Sequence, residues 1–492
     1  MISIEDMTTF CKKKGFVYQN SEIYGGFSGF WDFGPLGVEL KNNIKSALWN
    51  SFVRSRRDVV GIDGAIIAHP KLWVASGHVS SFTDAILTCG KCAQRYRADH
   101  LVEDELKIAA DGMTVEDVGR LIEKHGIKCK KCGSGLEAPK QFNLMFTTKV
   151  GAIEDRDSTS YLRPETAQLI FANFRLVMEN ARAKLPFGIA QMGKAFRNEI
   201  SPRDFLFRSR EFEQFEIEFF AHPKKIRKCP FFKDVQKMKV NFIGAGKKKQ
   251  VALAVSDLVK TEVFKTEWHA YWVASFYQWF LSYGICPDNL RIREHEKEEL
   301  AHYANACFDV EYKFPFGWKE IHGNADRTQF DLTQHIKVSG TDLSVFDEET
   351  REKVVPYVVS EPSQGIERAM LAFMFDAYSD DKDRGNVVLK LHPRLAPVAV
   401  GVFPLVNKLD SEAENIYGLL KNDFGCQYDR SGSIGRRYAR ADEIGVPFCV
   451  TVDFDSAKDG CVTVRDRDST KQTRVKVAEL RSTLAEMMAQ SL

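Results

Sequence analysis

The segment from Phe187 to Phe220 carries side chains suited to binding a nucleotide. It predicts two β-strands joined by a charged loop, the first ending near Glu199 and the second opening on Arg210. Side chains alternate faces along a strand, so Arg197 and Glu199 are expected to point into one pocket. An arginine can grip phosphate, a carboxylate can accept from an exocyclic amine, and the Phe212 ring can stack on a base. These residues predict a nucleotide site that needs no glycine-rich loop.

A second segment, residues 358–376, would supply the other half of this site. It predicts a strand, a turn over Pro362–Gly365 and a helix beginning near Ile366. The glycine lets backbone approach a ligand closely, and a helix N-terminus favours phosphate. Arg368 could reach a γ-phosphate and cover a base on the face opposite Phe212.

Four cysteines form two CxxC pairs that lie 36 residues apart, namely Cys89, Cys92, Cys129 and Cys132. Zinc prefers four such soft ligands in a tetrahedron, and a site with four protein ligands is structural because no position stays open. The spacer is longer than usual for zinc motifs. Four free cysteines on two turns are therefore the alternative.

Composition is that of an ordinary water-soluble protein of several domains. The chain has 492 residues, 44% hydrophobic and 28% charged, which predicts two to four domains and no membrane segment. An odd number of cysteines, eleven, and an N-terminus without an apolar core predict a reduced, cytoplasmic protein. The net charge of +2 neither requires nor excludes a nucleic-acid partner.

Several elements can be predicted around these motifs. A helix from Pro35 repeats apolar residues at a spacing of four, and one strand is expected over residues 59–68. The aromatic stretch 268–283 predicts a buried core helix. From about residue 395, strands alternate with helices, which indicates an α/β domain with a largely parallel sheet.

In this order and spacing, the motifs resemble the three signature motifs of class II aminoacyl-tRNA synthetases. The helix and strand after Pro35 match motif one, the hairpin matches motif two, and Gly365 to Arg368 match motif three. Three further segments resemble the homodimeric glycyl-tRNA synthetase family: 161–168 (YLRPETAQ), 361–363 (EPS) and 27–37 (FSGFWDFGPLG). The C-terminal part resembles the anticodon-binding domain of the glycyl, threonyl, prolyl and histidyl group.

The resemblance implies an α+β catalytic domain, with an antiparallel sheet flanked by helices, a zinc-knuckle insertion and a C-terminal α/β anticodon-binding domain. The expected boundaries are the motif-one part of the catalytic domain, 1–87; the CxxC insertion, 88–140; the motif-two part, 141–220; a basic insertion, 221–265; the motif-three part, 266–394; and the anticodon-binding domain, 395–492. The lysines of the basic insertion could touch tRNA phosphates, although such runs are usually solvated faces.

The implied activity is ligation of glycine to tRNA(Gly) through glycyl-adenylate, with ATP as substrate, Mg²⁺ on its phosphates and a homodimer as the working form. No editing domain is expected, because no amino acid is smaller than glycine. Three alternatives remain: a synthetase-like protein that binds nucleic acid without catalysis, a class II synthetase for another small amino acid, and a metal-dependent regulator built on the zinc knuckles.

The resemblance also carries residue roles onto this sequence. The expected catalytic residues are Arg197, Glu199 and Arg368. The expected ATP contacts are Arg197, Asn198, Glu199, Phe207, Arg208, Arg210, Phe212, Glu320, Ile321, Gly365 and Arg368. The expected glycine contacts are Arg97, Glu165, Phe212, Glu216, Glu361, Ser363 and Gly365.

Some roles carry alternatives. Glu320 and Glu361 are the candidate magnesium ligands. Glu218 is the alternative to Glu216, and either Glu165 or Glu216 could instead form a structural ion pair with an arginine such as Arg163 or Arg210. In the C-terminal domain, Arg436, Arg437 and Tyr438 are candidates for reading tRNA bases.

Overall fold

The computed structural model describes residues 2–108, 113–152 and 158–490. Within these ranges, every helix is too short or too polar to pass through a lipid bilayer. Part of the predicted helical insert between the CxxC pairs, residues 109–112, lies outside the described residues.

The α-helices of the described residues are numbered α1 to α15 in chain order. They are Ile4–Lys14, Pro35–Trp49, Pro70–Ala75, His78–Ser81, Ala98–Leu106, Val115–His125, Ala167–Ala181, Val255–Lys260, Glu267–Ser282, Phe330–Ser339, Ile366–Ala377, Asp410–Leu420, Ile434–Glu443, Ser456–Asp459 and Leu480–Gln490.

The strands of the same ranges are numbered β1 to β26. They are Val17–Gln19, Trp31–Phe33, Val59–Ile62, Ile67–Ala68, Thr83–Thr88, Arg95–Arg97, Lys140–Asn143, Thr147–Lys149, Thr159–Leu162, Phe187–Phe196, Glu211–Ala221, Lys239–Ile243, Val251–Ala254, Leu290–Glu294, Ala306–Phe314, Gly317–Asp326, Val345–Asp347, Glu352–Val354, Tyr357–Gly365, Tyr378–Asp381, Asn386–Leu389, Val400–Pro404, Cys426–Tyr428, Phe448–Val452, Cys461–Asp466 and Gln472–Lys476.

A nine-stranded sheet forms the centre of the molecule, in the order β13-β12-β14-β15-β16-β19-β11-β10-β3. Its neighbours pair antiparallel except β10 with β3 and β12 with β14. Apolar side chains of α2, α9 and α11 pack in one core against the sheet, and those of α7 and α10 pack in a second. The predicted antiparallel sheet flanked by helices is confirmed.

The aromatic helix α9 lies in this first core, as predicted. Eleven of its residues are buried, including Trp268, Trp272 and Trp279. Phe52, which follows α2, stacks on Phe276 with ring centroids 4.0 Å apart. The helix therefore packs in the same core as the nine-stranded sheet.

Two local predictions were wrong. The single strand expected over 59–68 is two strands in different sheets, because the chain leaves the large sheet after Ile62 and Arg163 Nη1 takes the carbonyl of Gly64 at 2.7 Å. The turn expected at Pro362–Gly365 is extended backbone, since β19 runs directly into α11 and pairs there with β11 and β16.

The CxxC segment forms a unit with its own small core. Strands β6, β5 and β7 make a three-stranded sheet, and α5 and α6 cover it with Leu101, Val102, Val118 and Ile122. The paired cysteines lie in the turns that follow β5 and α6.

The C-terminal unit is a five-stranded sheet in the order β23-β22-β24-β25-β26 with a separate core. The first three strands are parallel and the last two antiparallel. The predicted α/β character is confirmed, while the sheet is mixed because β25 and β26 continue it as hairpins. The exact domain boundaries stay predictions.

Candidate active site

Strands β10 and β11 form the predicted hairpin, paired from Phe187 with Phe220 to Phe196 with Glu211. Arg197 and Glu199 follow directly on β10. Both line one cavity of about 130 Å³. The sequence prediction that these two side chains share a pocket is thus matched by their positions.

Nine of the predicted site residues line this cavity together. They are Arg197, Glu199, Phe207, Arg208, Phe212, Glu320, Ser363, Gly365 and Arg368. Sequence reasoning missed four others, which are Leu206, Ser209, Gln214 and Glu367. Gln214 follows Phe212 by two residues on β11, so the alternation of side chains along a strand could have found it. Glu367 lies within the predicted Gly365–Arg368 motif, but helix spacing does not single it out.

Two guanidinium groups of the cavity lie close to aromatic rings that also line it. The Arg197 guanidinium lies 5.3 Å from the centre of the Phe212 ring, and its Nε donates to the carbonyl of Pro164 at 3.1 Å. The Arg368 guanidinium lies 4.6 Å from the centre of Phe207. Both distances are within the range of cation–π attraction. The predicted sandwich of adenine between Phe212 and Arg368 stays a prediction.

Two of the cavity arginines, Arg208 and Arg368, face a carboxylate. Arg368 Nη1 lies 2.8 Å from Glu320 Oε2, and Arg208 Nη1 lies 3.7 Å from Glu199 Oε2. Burial is the largest cause that lowers the pKa of Arg208, and the charge of Glu199 opposes it. The cavity therefore combines paired positive and negative groups of the kind that phosphate and an adenine amine would contact.

Three residues assigned to ATP by resemblance do not belong to the described lining of this cavity: Asn198, Arg210 and Ile321. Ile321 is part of the hydrophobic core. Arg210 Nε donates to the carbonyl of Glu199 at 3.0 Å, and its Nη1 donates to the carbonyl of Ser28 at 2.9 Å. In this structure the Arg210 side chain thus donates hydrogen bonds to two backbone segments.

Three of the predicted glycine contacts, Glu165, Glu216 and Glu361, form a buried acidic cluster next to the cavity. Ser363, which lines the cavity, donates to Glu216 Oε1 at 2.8 Å. The other oxygen of Glu216 accepts from Thr166 N at 2.8 Å and from its hydroxyl at 2.5 Å. Glu165 accepts from Gln168 Nε2 at 3.0 Å, and Glu361 accepts from Arg327 Nη1 at 2.5 Å.

The described contacts of Glu165 and Glu216 do not include the ion pair with Arg163 or Arg210 that was the alternative. Arg163 donates to the backbone carbonyls of Lys194 at 2.6 Å and Gly64 at 2.7 Å. Glu165 instead faces His78, whose Nε2 lies 3.4 Å from Oε2. The hydroxyl of Ser363 contacts Glu216 and not Glu218.

Acidic side chains outnumber basic ones in this cluster. Burial raises the pKa of Glu361 to about 8; the charge of Arg327 opposes this and the neighbouring acids add to it. Burial and Glu165 raise the pKa of Glu216. Although burial opposes it, the charges of His78 and Arg327 lower the pKa of Glu165. Binding of a small cation would favour the ionised form of these acids.

Glu218 lies beside the same acids and has no hydrogen-bond partner for either carboxyl oxygen among the described side chains and backbone. Burial, then Glu361, raise its pKa well above the ordinary value. Burial among other acids therefore favours the protonated form of Glu218 over its carboxylate.

Arg97 comes from the CxxC insertion, at the end of β6. Its Nη2 lies 2.7 Å from Asp99, and its Nη1 lies 3.3 Å from Asp84. Burial raises the pKa of Asp84 to about 6, Arg97 opposes this, and Glu199 adds to it. The insertion therefore brings Arg97 into the electrostatic neighbourhood of Glu199.

The two predicted magnesium ligands lie in different settings. Glu320 lines the cavity beside Arg368, whereas Glu361 contacts Arg327 in the acidic cluster. A carboxylate that sequence reasoning missed, Asp309, faces Glu320 across Gly323. A Cβ placed on this glycine would lie 3.4 Å from Glu320 Oε1 and 3.8 Å from Asp309 Oδ1.

Comparison with known proteins connects this geometry to a family. Residues 146–376 match the family described as "tRNA synthetase class II core domain (G, H, P, S and T)", and residues 399–487 match "Anticodon binding domain". The glycine–tRNA ligase of Acetivibrio thermocellus is 47% identical over 489 residues, covering 98% of this chain and 97% of that protein. The chain belongs to the glycine–tRNA ligase family.

Two other members of the family are similar over the same extent. The glycine–tRNA ligase of Caldanaerobacter subterraneus subsp. tengcongensis is 46% identical over 495 residues, covering 99% of both chains. That of Bacillus cereus is 44% identical over 492 residues, covering 98% of this chain and 99% of that protein.

In this member of the glycine–tRNA ligase family, the four cysteines of the insertion come together. The Sγ atoms of Cys89 and Cys132 are 3.5 Å apart, those of Cys92 and Cys129 are 3.6 Å apart, and all four lie within 4.8 Å of one another. Tetrahedral zinc with Zn–S bonds of about 2.3 Å places its sulfurs roughly 3.8 Å apart. The cluster is compatible with zinc.

The three predicted base readers of the anticodon-binding unit lie in different settings, and their role stays a prediction. Arg437 is buried and donates to backbone carbonyls, Leu405 at 3.3 Å among them, so it supports the loop after β22. Tyr438 contacts the Thr451 hydroxyl at 2.6 Å. Arg436 is the exposed residue of the three.

Proposed function

We propose that this chain activates glycine with ATP to glycyl-adenylate and transfers the glycyl group to the 3′ end of tRNA(Gly). The observation that carries the proposal is the buried acidic cluster of Glu165, Glu216 and Glu361, joined through Ser363 to a cavity of arginines and rings. Membership of the glycine–tRNA ligase family supports the same reaction.

For the nucleotide, we propose that Arg197 holds the glycine carboxylate and the α-phosphate as negative charge develops. Glu199 accepts from the adenine amine, and Phe212 stacks on the base. Arg208 and Arg368 contact the outer phosphates. Their positions on the lining of one cavity support these roles.

For the amino acid, we propose that the ammonium group is bound by Glu216 and Glu361, with Glu165 in support. The hydrogen bonds of Ser363 and Thr166 to Glu216 support this role, because they fix the carboxylate before the substrate arrives. Arg97 stays a proposed contact from the insertion side.

The two steps need no side-chain nucleophile. The glycine carboxylate attacks the α-phosphate and pyrophosphate leaves. The terminal ribose hydroxyl of tRNA then attacks the glycyl carbonyl and AMP leaves. Positioning and fixed charges lower both barriers.

Mg²⁺ would neutralise the phosphates of ATP during the first step. We propose Glu320 as a ligand, with Asp309 facing the same gap over Gly323 as a further oxygen donor. The magnesium role of Glu361 stays a prediction. Its bond to Arg327 supports the glycine role more directly.

For the insertion, we propose a structural zinc held by Cys89, Cys92, Cys129 and Cys132. The spacing of their sulfur atoms supports it. We also propose a cytoplasmic location. All eleven cysteines lie within the described ranges, and none is joined in a disulfide.

We further propose a homodimer in which β3 meets its counterpart. β3 is the edge strand of the nine-stranded sheet. Next to it lies a hollow of about 470 Å³ lined by residues such as Val60, Ile62 and Val177, with Leu176 59% exposed. An exposed edge strand beside apolar residues favours pairing with a second chain.

The test of this function is ATP–pyrophosphate exchange with glycine, and then with serine, threonine, alanine and proline. Exchange with glycine alone is expected, followed by charging of tRNA(Gly). Arg197→Ala should lower the exchange rate by about 100- to 1000-fold, because it removes a preorganised donor to the reacting groups. Arg120→Ala, on an exposed helix of the insertion, is the control.

Two outcomes would contradict the proposal. Absence of exchange with every amino acid would favour a nucleic-acid-binding protein without catalysis. Exchange with another small amino acid in preference to glycine would favour a synthetase of different specificity.

A further inference from the structure

The connection between β1 and β2, residues 20–30, carries an unusual set of exposed apolar side chains. We call it the aromatic loop. Ile23 and Tyr24 are each 87% exposed and Phe27 is 55% exposed. Single exposed apolar residues are common on protein surfaces, but three within five residues form a patch.

The aromatic loop has a fixed backbone. Gln19 Nε2 donates to the carbonyl of Phe27 at 2.7 Å, and Arg210 N donates to the carbonyl of Gly29 at 2.7 Å. The Phe27 ring stacks on Phe30 with centroids 4.6 Å apart. The backbone that carries the exposed rings is therefore already ordered, so it would lose little conformational entropy when a ligand binds.

Glycines let the backbone of the aromatic loop lie close to the hairpin loop, the residues between β10 and β11. Gly29 has a φ of 80°, and a Cβ on it would lie 2.8 Å from Pro202. Gly25 and Gly26 also have positive φ. A side chain at Gly29 would push the aromatic loop away from the hairpin.

A hollow of about 270 Å³ separates the aromatic loop from the hairpin loop, and two arginines line it. Arg203 lies on the outer side and is exposed, at 3.7 Å from Asp204. Arg208 lines both this hollow and the cavity assigned above to ATP. The hollow is thus adjacent to the active-site cavity, and Arg208 belongs to both linings.

Exposed rings next to arginines are the combination that binds single-stranded nucleic acid, because every base has a face to stack and every nucleotide has a phosphate. We propose that the aromatic loop and Arg203 hold the single-stranded 3′ end of tRNA as it enters the active site, with Tyr24 stacking on a base. This inference rests on the proposed function, and it assigns a binding role to residues outside the three motifs.

The test compares two reactions of the full-length enzyme. ATP–pyrophosphate exchange needs glycine and ATP only, whereas charging also needs tRNA. For Tyr24→Ala we expect kcat/KM for tRNA(Gly) to fall about 5- to 100-fold, the range for loss of one stacked base. Exchange should stay within about twofold of wild type. Tyr24→Phe keeps the ring and should charge like wild type.

Phe346→Ala is the matched control, because Phe346 is 60% exposed on the β17–β18 hairpin and lines neither the cavity nor the hollow. It should leave both reactions unchanged. For Arg203→Ala, the KM for tRNA should rise and depend less steeply on salt, since one phosphate contact is lost.

Three outcomes would overturn the inference. Equal losses of exchange and charging in Tyr24→Ala would assign the aromatic loop to the adenylate site. Unchanged charging would leave the loop without this role. Dissociation of a wild-type dimer by Tyr24→Ala in sedimentation would assign the loop to contact between chains. Failure of the wild type to exchange with glycine would instead reject the proposed function.

Discussion

Buried carboxyl groups set the chemistry of this molecule at the scale of single residues. Glu165, Glu216, Glu218 and Glu361 share one cluster, and Arg327 is bonded to Glu361 and Asp331. Burying several acids together is unfavourable unless some are neutral or a cation is supplied. The proposed substrate supplies that cation through its ammonium group. Substrate binding would therefore offset part of the free-energy cost of burying these acids together.

A pH dependence follows for Glu361, whose pKa burial raises to about 8. Below pH 8 the carboxyl is mostly protonated, whereas the glycine ammonium binds the ionised form, so a proton must leave on binding. We therefore expect the KM for glycine in the exchange assay to fall by up to about tenfold per pH unit between pH 6 and 8, and to level off above.

Glu361→Gln is the control for this prediction, since an amide does not titrate in this range. Its KM for glycine should be high and nearly independent of pH between 6 and 8. A wild-type KM for glycine that stays flat over this interval would contradict the assignment of Glu361 to the ammonium.

At the scale of elements, Arg210 joins three pieces of chain that are far apart in sequence. It donates to Ser28 of the aromatic loop and to Glu199 after β10, and it stands itself at the start of β11. Arg208, two residues earlier, points into the cavity. The same residue type thus has a structural task at one position and faces the ligand site at the other.

These two arginines should respond differently to truncation. Arg210→Ala is expected to lower the free energy of unfolding by about 1–3 kcal/mol, because hydrogen bonds from a charged donor are lost, and to expose residues 25–29 to protease. Arg208→Ala should lower exchange activity with a smaller effect on stability. Urea unfolding and limited proteolysis separate the two. Equal destabilisation by both variants would contradict the division of tasks.

The hairpin of β10 and β11 could be predicted from sequence because its apolar and charged residues follow the period of a strand. The continuation of β19 into α11 could not, since Pro362 and Gly365 favour a turn locally and only the pairing with β11 and β16 keeps them extended. Just after the break at Ile62, the carbonyl of Gly64 accepts from Arg163, about a hundred residues away, a contact that local sequence does not reveal. The contacts of Glu216 likewise depend on neighbours that spacing does not reveal.

The insertion with the cysteine pairs connects folding and activity at the scale of the whole molecule. Its core of Leu101, Val118 and Ile122 is small, so the metal would supply much of its stability. Arg97, on the same unit, lies in the electrostatic neighbourhood of Glu199. Loss of the metal would therefore lower activity by displacing Arg97, while the nine-stranded sheet would stay folded.

Metal analysis tests this connection. We expect about one zinc per chain in the purified protein, and about none in Cys92→Ser with Cys132→Ser. The double variant should lose exchange activity and keep the cooperative unfolding of the main sheet. Cys461→Ser, in the C-terminal unit, should keep both zinc and activity. A double variant that retains zinc and full exchange would contradict the proposed site.

The two edges of the nine-stranded sheet differ in their expected contacts. Leu176→Asp, beside β3, should shift the protein towards monomer in sedimentation equilibrium, because a charge would be buried in the proposed interface. Val251→Asp, on β13 at the opposite edge, should leave the oligomeric state unchanged. A monomeric wild type would contradict the dimer.

The ion pairs inside the cavity, Arg368 with Glu320 and Arg208 with Glu199, act as internal competitors for any incoming anion. A single inorganic phosphate ion would have to separate one of these pairs, whereas the triphosphate proposed to bind here would engage both arginines at once. After pyrophosphate leaves in the proposed reaction, the carboxylates would pair with the arginines again. The proposed site would thereby select a triphosphate over a single phosphate ion.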